Sequence, residues 1–209
     1  MNQTPYFISA IDTDVGKTIV SAILVEALKA DYWKPIQAGN LEDSDTMTVQ
    51  SLISNSTSQF YSETYRLNTP ASPHYAAEID GLQLEAHSIQ LPKTSNQLIV
   101  EGAGGLFVPI NDKALLIDLM QDLNIPVILV IKNYLGSINH SLSSIYALQQ
   151  KNIPIKGLIF NGPSVASSED YILQYSKLPL IAKIPELSAI SKQTIREQAE
   201  RIKLNLSGQ

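Results

Sequence analysis

Residues 126–131 read Pro-Val-Ile-Leu-Val-Ile, apolar without a break and rich in β-branched side chains. A strand of that kind offers no face to water. It predicts a central strand covered on both sides, as in a parallel sheet between two layers of helices. Other apolar segments fit that frame. Residues 6–10, 32–36, 97–100, 155–160 and 180–184 read as short strands. Residues 17–30 carry Val20, Ile23, Leu24, Ala27 and Leu28 at helical spacing. Further helices are expected over 115–123, 137–150, 168–176 and 191–204, with a short one over 46–53. Strand–helix alternation of this kind predicts an α/β fold with a mostly parallel central sheet flanked by helices. Residues 37–73, rich in Ser, Thr and Asn, read as an irregular insert.

The 209 residues suit one domain, expected to span 1–209, and can bury a sizeable core. Twenty acidic against fifteen basic residues give a formal charge of −5, which argues against a general nucleic-acid binder. No apolar run reaches the roughly 18 residues of a membrane helix. Met1-Asn2-Gln3-Thr4-Pro5 lacks the basic start and apolar core of a signal peptide. No membrane partner and a cytoplasmic location are therefore expected. Without cysteine the chain has no disulfide, thiolate metal site or cysteine nucleophile.

The strongest local signal is Ala10-Ile11-Asp12-Thr13-Asp14-Val15-Gly16-Lys17-Thr18, lying between the first strand and the first helix. Free amides and the dipole at a helix start attract phosphate. Gly16 lets the backbone come close, Lys17 can reach the β- and γ-phosphates, and Thr18 offers a hydroxyl to Mg²⁺. The usual phosphate-loop pattern, Gly, four residues, then Gly-Lys-Ser/Thr, is not met, because Ile11 stands where its first glycine belongs.

A nucleotide site with Mg²⁺ also needs acids. Glu101 follows the strand at 97–100, where such an acid belongs, and Gly102-Ala103-Gly104-Gly105 reads as a turn behind it. The alternative is a strand-end acid facing water. Asp43-Ser44-Asp45 precedes a short helix and, taken locally, reads as a cap. Lys34, before Pro35, reads equally as a site lysine or a surface one. His74 reads first as structural; His87 and His140 carry no local signal.

Taken together these segments resemble the dethiobiotin synthetase family. Its loop, Gly-Thr-Asp-Thr-Glu-Val-Gly-Lys-Thr, is one residue longer than the general pattern, and Asp12 to Thr18 follow it closely. Lys34-Pro35, Ser44-Asp45, Ser72-Pro73-His74, Glu101 to Gly105, Leu135-Gly136-Ser137-Ile138-Asn139-His140, Asn161 and Ile184-Pro185 match in family order. The resemblance implies an ATP-dependent enzyme of biotin synthesis. CO₂ (or bicarbonate) and 7,8-diaminopelargonate form a carbamate, ATP phosphorylates it, and the neighbouring amine closes a cyclic urea. It also implies roles. Asp14, Val15, Gly16, Lys17, Thr18, Asn161 and Pro185 would bind the nucleotide, with Asn161 reading its base. Thr18, Asp45 and Glu101 would hold Mg²⁺. Thr13 and Lys34 would meet the amine or carbamate end and, with Lys17, serve catalysis. Gly136, Ser137, Ile138, Asn139 and Tyr171 would receive the substrate carboxylate from a partner subunit, so a homodimer is implied.

Ala10 stands in place of the first loop glycine, Asp14 in place of a glutamate, and Ala38 in place of a Ser or Thr. The alanine is tolerable if its φ is negative. The tail after Pro185 is short for a base- and ribose-binding segment. Three other readings remain. A partitioning-type switch ATPase would carry a signature lysine where Asp12 stands. An amide-forming relative would usually add a cysteine-dependent glutaminase. A nucleotide-binding module without turnover would tolerate the changes at Ala10 and Ala38.

Overall fold

The computed structural model describes residues 4–207; residues 1–3, on which part of the leader expectation rests, lie outside it. Its elements are β1 (Tyr6–Ala10), α1 (Lys17–Leu28), β2 (Asp31–Trp33), β3 (Ile36–Ala38), α2 (Asp45–Leu52), β4 (Phe60–Tyr61), β5 (Tyr65–Leu67) and α3 (Pro73–Asp80). They continue with β6 (Leu98–Gly105), α4 (Leu116–Leu123), β7 (Val127–Ile131), α5 (Ser137–Gln150), β8 (Ile155–Asn161), α6 (Ala166–Ser176), β9 (Leu180–Ile184) and α7 (Lys192–Ser207). Seven strands pair in the order β4-β2-β6-β1-β7-β8-β9, every pair parallel.

Side chains alternate across this sheet, and both faces are dry. Ile8, Ala10, Tyr32, Ile99, Ile128 and Val130 pack with α1, α2 and α7. Phe7, Trp33, Val100 and Val127 pack with α3 and α4. Leu129, Ile131, Leu158 and Phe160 face α5 and α6. All five residues of β7 are buried, as its unbroken apolar run requires. Each such side chain contributes about 1.5–3 kcal/mol by leaving water.

Three expectations change. The strand at 32–36 is two strands, because Pro35 has no N–H to give a ladder. Its carbonyl accepts from Thr64 and Tyr65, and the chain steps into a separate parallel pair, β3 with β5. The glycines after Glu101 are not a turn but the end of β6. A Cβ at Gly102 would fall 2.7 Å from the Phe7 ring, so glycine lets the core close there. The insert at 37–73 is built, with β3, α2, β4 and β5 inside it.

β1 lies between β6 and β7, and the chain runs outward from it in both directions. This is the switch point where the loops at the carboxyl ends of two strands part and leave a crevice. The loop from Ile11 to Gly16 stands over it. No helix among the described residues is long and apolar enough to cross a membrane.

Candidate active site

A cleft of about 680 Å³ opens at that crevice. Thr13, Asp14, Gly16, Lys17 and Thr18 line one side, and Lys34, Asp45 and Glu101 line its floor and far wall. Ala10 is buried in β1 and is not among the positive-φ residues, so a glycine is not needed there. The left-handed conformations fall instead on Asp14 (φ 55°) and Gly16 (φ 87°). Gly16 begins α1, and Val15 behind it is buried. The Thr13 amide donates to Asp12 Oδ1 at 2.7 Å.

Two carboxylates converge on one hydroxyl. Thr18 Oγ1 lies 2.9 Å from Asp45 Oδ1 and 2.9 Å from Glu101 Oε1. Lys34 Nζ pairs with Asp45 Oδ2 and, at 3.1 Å, with Glu101 Oε1. Ser44 caps α2, its side chain accepting from the Met47 amide. That leaves Asp45, the first helical residue, free to turn to Thr18. Gln37 Oε1 accepts from the Asp45 amide at 3.2 Å and steadies that turn. Lys34 is only 5% exposed and Glu101 1%, so neither is a surface charge.

The two lysines sit differently. Burial lowers the pKa of Lys17, and nearby Lys34 lowers it further against the pull of Glu101. Its ammonium donates to the Asp12 carbonyl at 3.3 Å and has no ion pair among the described residues. A buried cation so placed gains most from an arriving anion. Burial also disfavours charge on Lys34, but Glu101 and Asp45 outweigh it and raise its pKa.

A hydroxyl has one proton, so Thr18 cannot donate to both carboxylates at once. Three hard oxygens this close suit a cation such as Mg²⁺. Among the described residues no group of three His, Cys, Asp or Glu could hold a metal. A cation here would therefore take further oxygens from water and phosphate, as Mg²⁺ commonly does.

The remaining candidates lie outside this cleft. Asn161 Nδ2 donates to the Val15 carbonyl at 2.8 Å, bracing the loop from below. Pro185 lines a second, smaller hollow of about 170 Å³ with Gly162, Pro163, Glu169 and Lys183. Gly136 (φ 102°) opens α5, where Ser137 is buried, Ile138 half-buried and Asn139 exposed. Tyr171 is exposed on α6 and stacks on Tyr175. The start of α5 meets the phosphate loop from outside. Tyr134 bonds His140 at 2.7 Å and reaches Asp12 at 3.5 Å.

A family profile described as an AAA domain matches residues 4–194. The ATP-dependent dethiobiotin synthetase BioD of Christiangramia forsetii is 48% identical over 201 residues, 96% of this chain and 97% of that one. The chain belongs to the dethiobiotin synthetase family. The dethiobiotin synthetase of Cytophaga hutchinsonii is 44% identical, over 94% of this chain and 96% of its own. Among solved structures, the cell division ATPase MinD of Pyrococcus furiosus superposes with a TM-score of 0.59 at 13% identity. The match covers 97% of this chain and 99% of that one. This second likeness shows a shared α/β P-loop fold and nothing of activity.

Two residues of this dethiobiotin synthetase family member escape a reading of its sequence. Tyr32 looks like a core residue of a strand, yet its hydroxyl donates to Glu101 Oε2 at 3.0 Å. Gln37 sits in what reads as an irregular insert, yet it is buried and braces Asp45. The one available signal is their closeness in sequence to Lys34.

Proposed function

We propose that this chain joins CO₂ to 7,8-diaminopelargonate and closes the cyclic urea of dethiobiotin at the expense of ATP. The observation that carries the reading is the similarity to dethiobiotin synthetases over nearly the full length of both chains. The site is chemically suited to it. The substrate amine and CO₂ form a carbamate without a strong protein base. A carbamate oxygen takes the γ-phosphoryl group of ATP, the second amine attacks the carbamoyl carbon, and phosphate leaves. The protein's share is to hold the reactants together and to offset negative charge.

Lys17, a buried ammonium with no ion pair among the described residues, is suited to the transferring phosphoryl group. Lys34, which lines the cleft together with Thr13, is suited to the carbamate end. Thr18, Asp45 and Glu101 would hold Mg²⁺, which when bound screens the phosphate oxygens. Asn161 keeps the loop seated through Val15 and, with Pro185 at the smaller hollow, would contribute to nucleotide binding. Gly136 to Asn139 and Tyr171 would take the substrate carboxylate of a partner protomer. An exposed helix start suits that anion. None of them lines the cleft of its own chain, which fits a homodimer with sites at the interface.

The test is phosphate release from MgATP with the diamino acid and bicarbonate added singly and together. Release is expected only with both, alongside a product of dethiobiotin mass. Lys17→Ala should cut it on the order of 100-fold or more. Release that ignores both additions would instead favour a switch ATPase, and ATP binding with no release a non-catalytic module.

A further inference from the structure

Tyr32 is fully buried in β2, on the face of the sheet that meets α1. Its ring lies against Phe60 of β4 with centroids 5.9 Å apart. In the strand register Tyr32 pairs with Ile99 and Trp33 with Val100, so the next step along each strand is Lys34 beside Glu101. From this position the phenol donates to Glu101 Oε2 at 3.0 Å. The other carboxylate oxygen, Oε1, faces Thr18 Oγ1 at 2.9 Å and Lys34 Nζ at 3.1 Å. The two oxygens of one buried carboxylate thus have separate partners. One is held by a neutral donor in the core, and the other faces the cleft.

We infer that Tyr32 is a positioning residue for Glu101, its phenol holding Oε2 so that Oε1 stays aimed at Thr18 and the cation. The inference rests on the reading of Thr18, Asp45 and Glu101 as cation ligands. A phenylalanine would fill the same core space, so packing alone does not require the hydroxyl. A buried hydroxyl on a strand needs a partner, and here that partner is a candidate metal ligand. With Glu101 only 1% exposed, little water is at hand to replace the phenol. Without it the carboxylate is free to turn both oxygens toward Lys34 and away from Thr18. Groups that orient a metal ligand in this way commonly control affinity by about 10–100-fold.

The probe is Mn²⁺ with ADP and the full chain, free Mn²⁺ being read by electron paramagnetic resonance. Melting temperatures are taken alongside. Tyr32→Phe should raise the Mn²⁺ dissociation constant about 10-fold. Glu101→Gln should raise it too, and adding Tyr32→Phe to that variant should bring no further loss, because the phenol acts only through Glu101. Phe60→Leu, which loosens the packing around the ring, should lower the melting temperature and leave Mn²⁺ affinity in place. The inference fails if Tyr32→Phe binds Mn²⁺ like the wild type, or weakens it equally with and without Glu101. It also fails if Phe60→Leu weakens binding as much. If the wild-type chain with ADP does not bind Mn²⁺, the cation reading falls and takes this inference with it. Loss in Tyr32→Phe and in Glu101→Gln, not deepened in the double variant and absent from Phe60→Leu, leaves both standing.

Discussion

Lys17 and Lys34 carry the same side chain into opposite conditions. Lys17 is buried, forms no ion pair among the described residues and has its pKa lowered by burial and by Lys34 against the pull of Glu101, so its charge is held at a cost that a phosphate can relieve. Lys34 is buried between two carboxylates, and its charge is stabilised. Asp45 reports the same balance from the acid side. Burial pushes its carboxyl up, and the charge and hydrogen bond of Lys34 outweigh that and hold it below its ordinary value of 3.8. Above 3.8 the carboxylate is charged in folded and unfolded chains alike, and the pair contributes fully. As pH falls below that, the unfolded chain takes the proton first, and the contribution is lost through the folded value. Asp45→Asn should therefore cost about 1 kcal/mol at neutral pH, a fall of about 2–4 °C in melting temperature. The gap between variant and wild type should close as melts are taken down through pH 3.8. A gap that stays constant with pH would mean that the asparagine disturbs packing and not charge.

At the scale of elements, the loop between β1 and α1 depends on one glycine. Gly16 has φ 87°, and a Cβ there would run into the Asn161 amide that supports Val15. Gly16→Ala combines backbone strain with a collision at the end of β8. α1 itself has eight of its twelve residues buried and should persist. The expected loss of stability is about 1–3 kcal/mol, whereas ADP affinity should fall on the order of 100-fold as the loop amides shift. Asn161→Ala removes only the hydrogen bond and should cost about 1 kcal/mol. Calorimetry with ADP and thermal melts separate the two effects. Near-normal ADP binding by Gly16→Ala would show that the loop does not need this seat. Long, strongly patterned elements such as α5 and β9 are legible from residue spacing, to the residue. β4 and β5 are not, because two or three residues carry no period. The small β3–β5 pair forms only because Pro35 diverts the chain toward Thr64 and Tyr65.

At the scale of the whole molecule, the start of α5 meets the phosphate loop from outside without lining the cleft. If two chains complete each other's sites, Lys17→Ala and Asn139→Ala defects lie in different contributions to one site. In a mixed dimer one site would carry both defects and the other neither. Mixing the two inactive variants with subunit exchange should then restore about a quarter of wild-type turnover, given random pairing in a two-fold dimer. Sedimentation should show the dimer in both parents. No recovery from exchanged dimers would assign the carboxylate contact to the same chain as the phosphate loop.

What the sequence by itself determined was whatever neighbouring residues decide among themselves. The unbroken run at 126–131 requires cover on both faces, which yields a parallel layered sheet. Asp12 to Thr18 combine a strand end, a glycine and a helix start within a few residues, so a loop suited to phosphate is legible without a fold. Lys34, Asp45 and Glu101 were ambiguous in the sequence, because a lysine or an acid at a strand end looks the same whether it faces water or a site. Only the tertiary structure decided them. The order β2-β6-β1 brings β2, the start of α2, β6 and the start of α1 to one crevice. Burial there removes the water that would otherwise screen their charges. The role of Tyr32 belongs to the same class. Its hydroxyl looks like part of the core until the register sets it against Glu101.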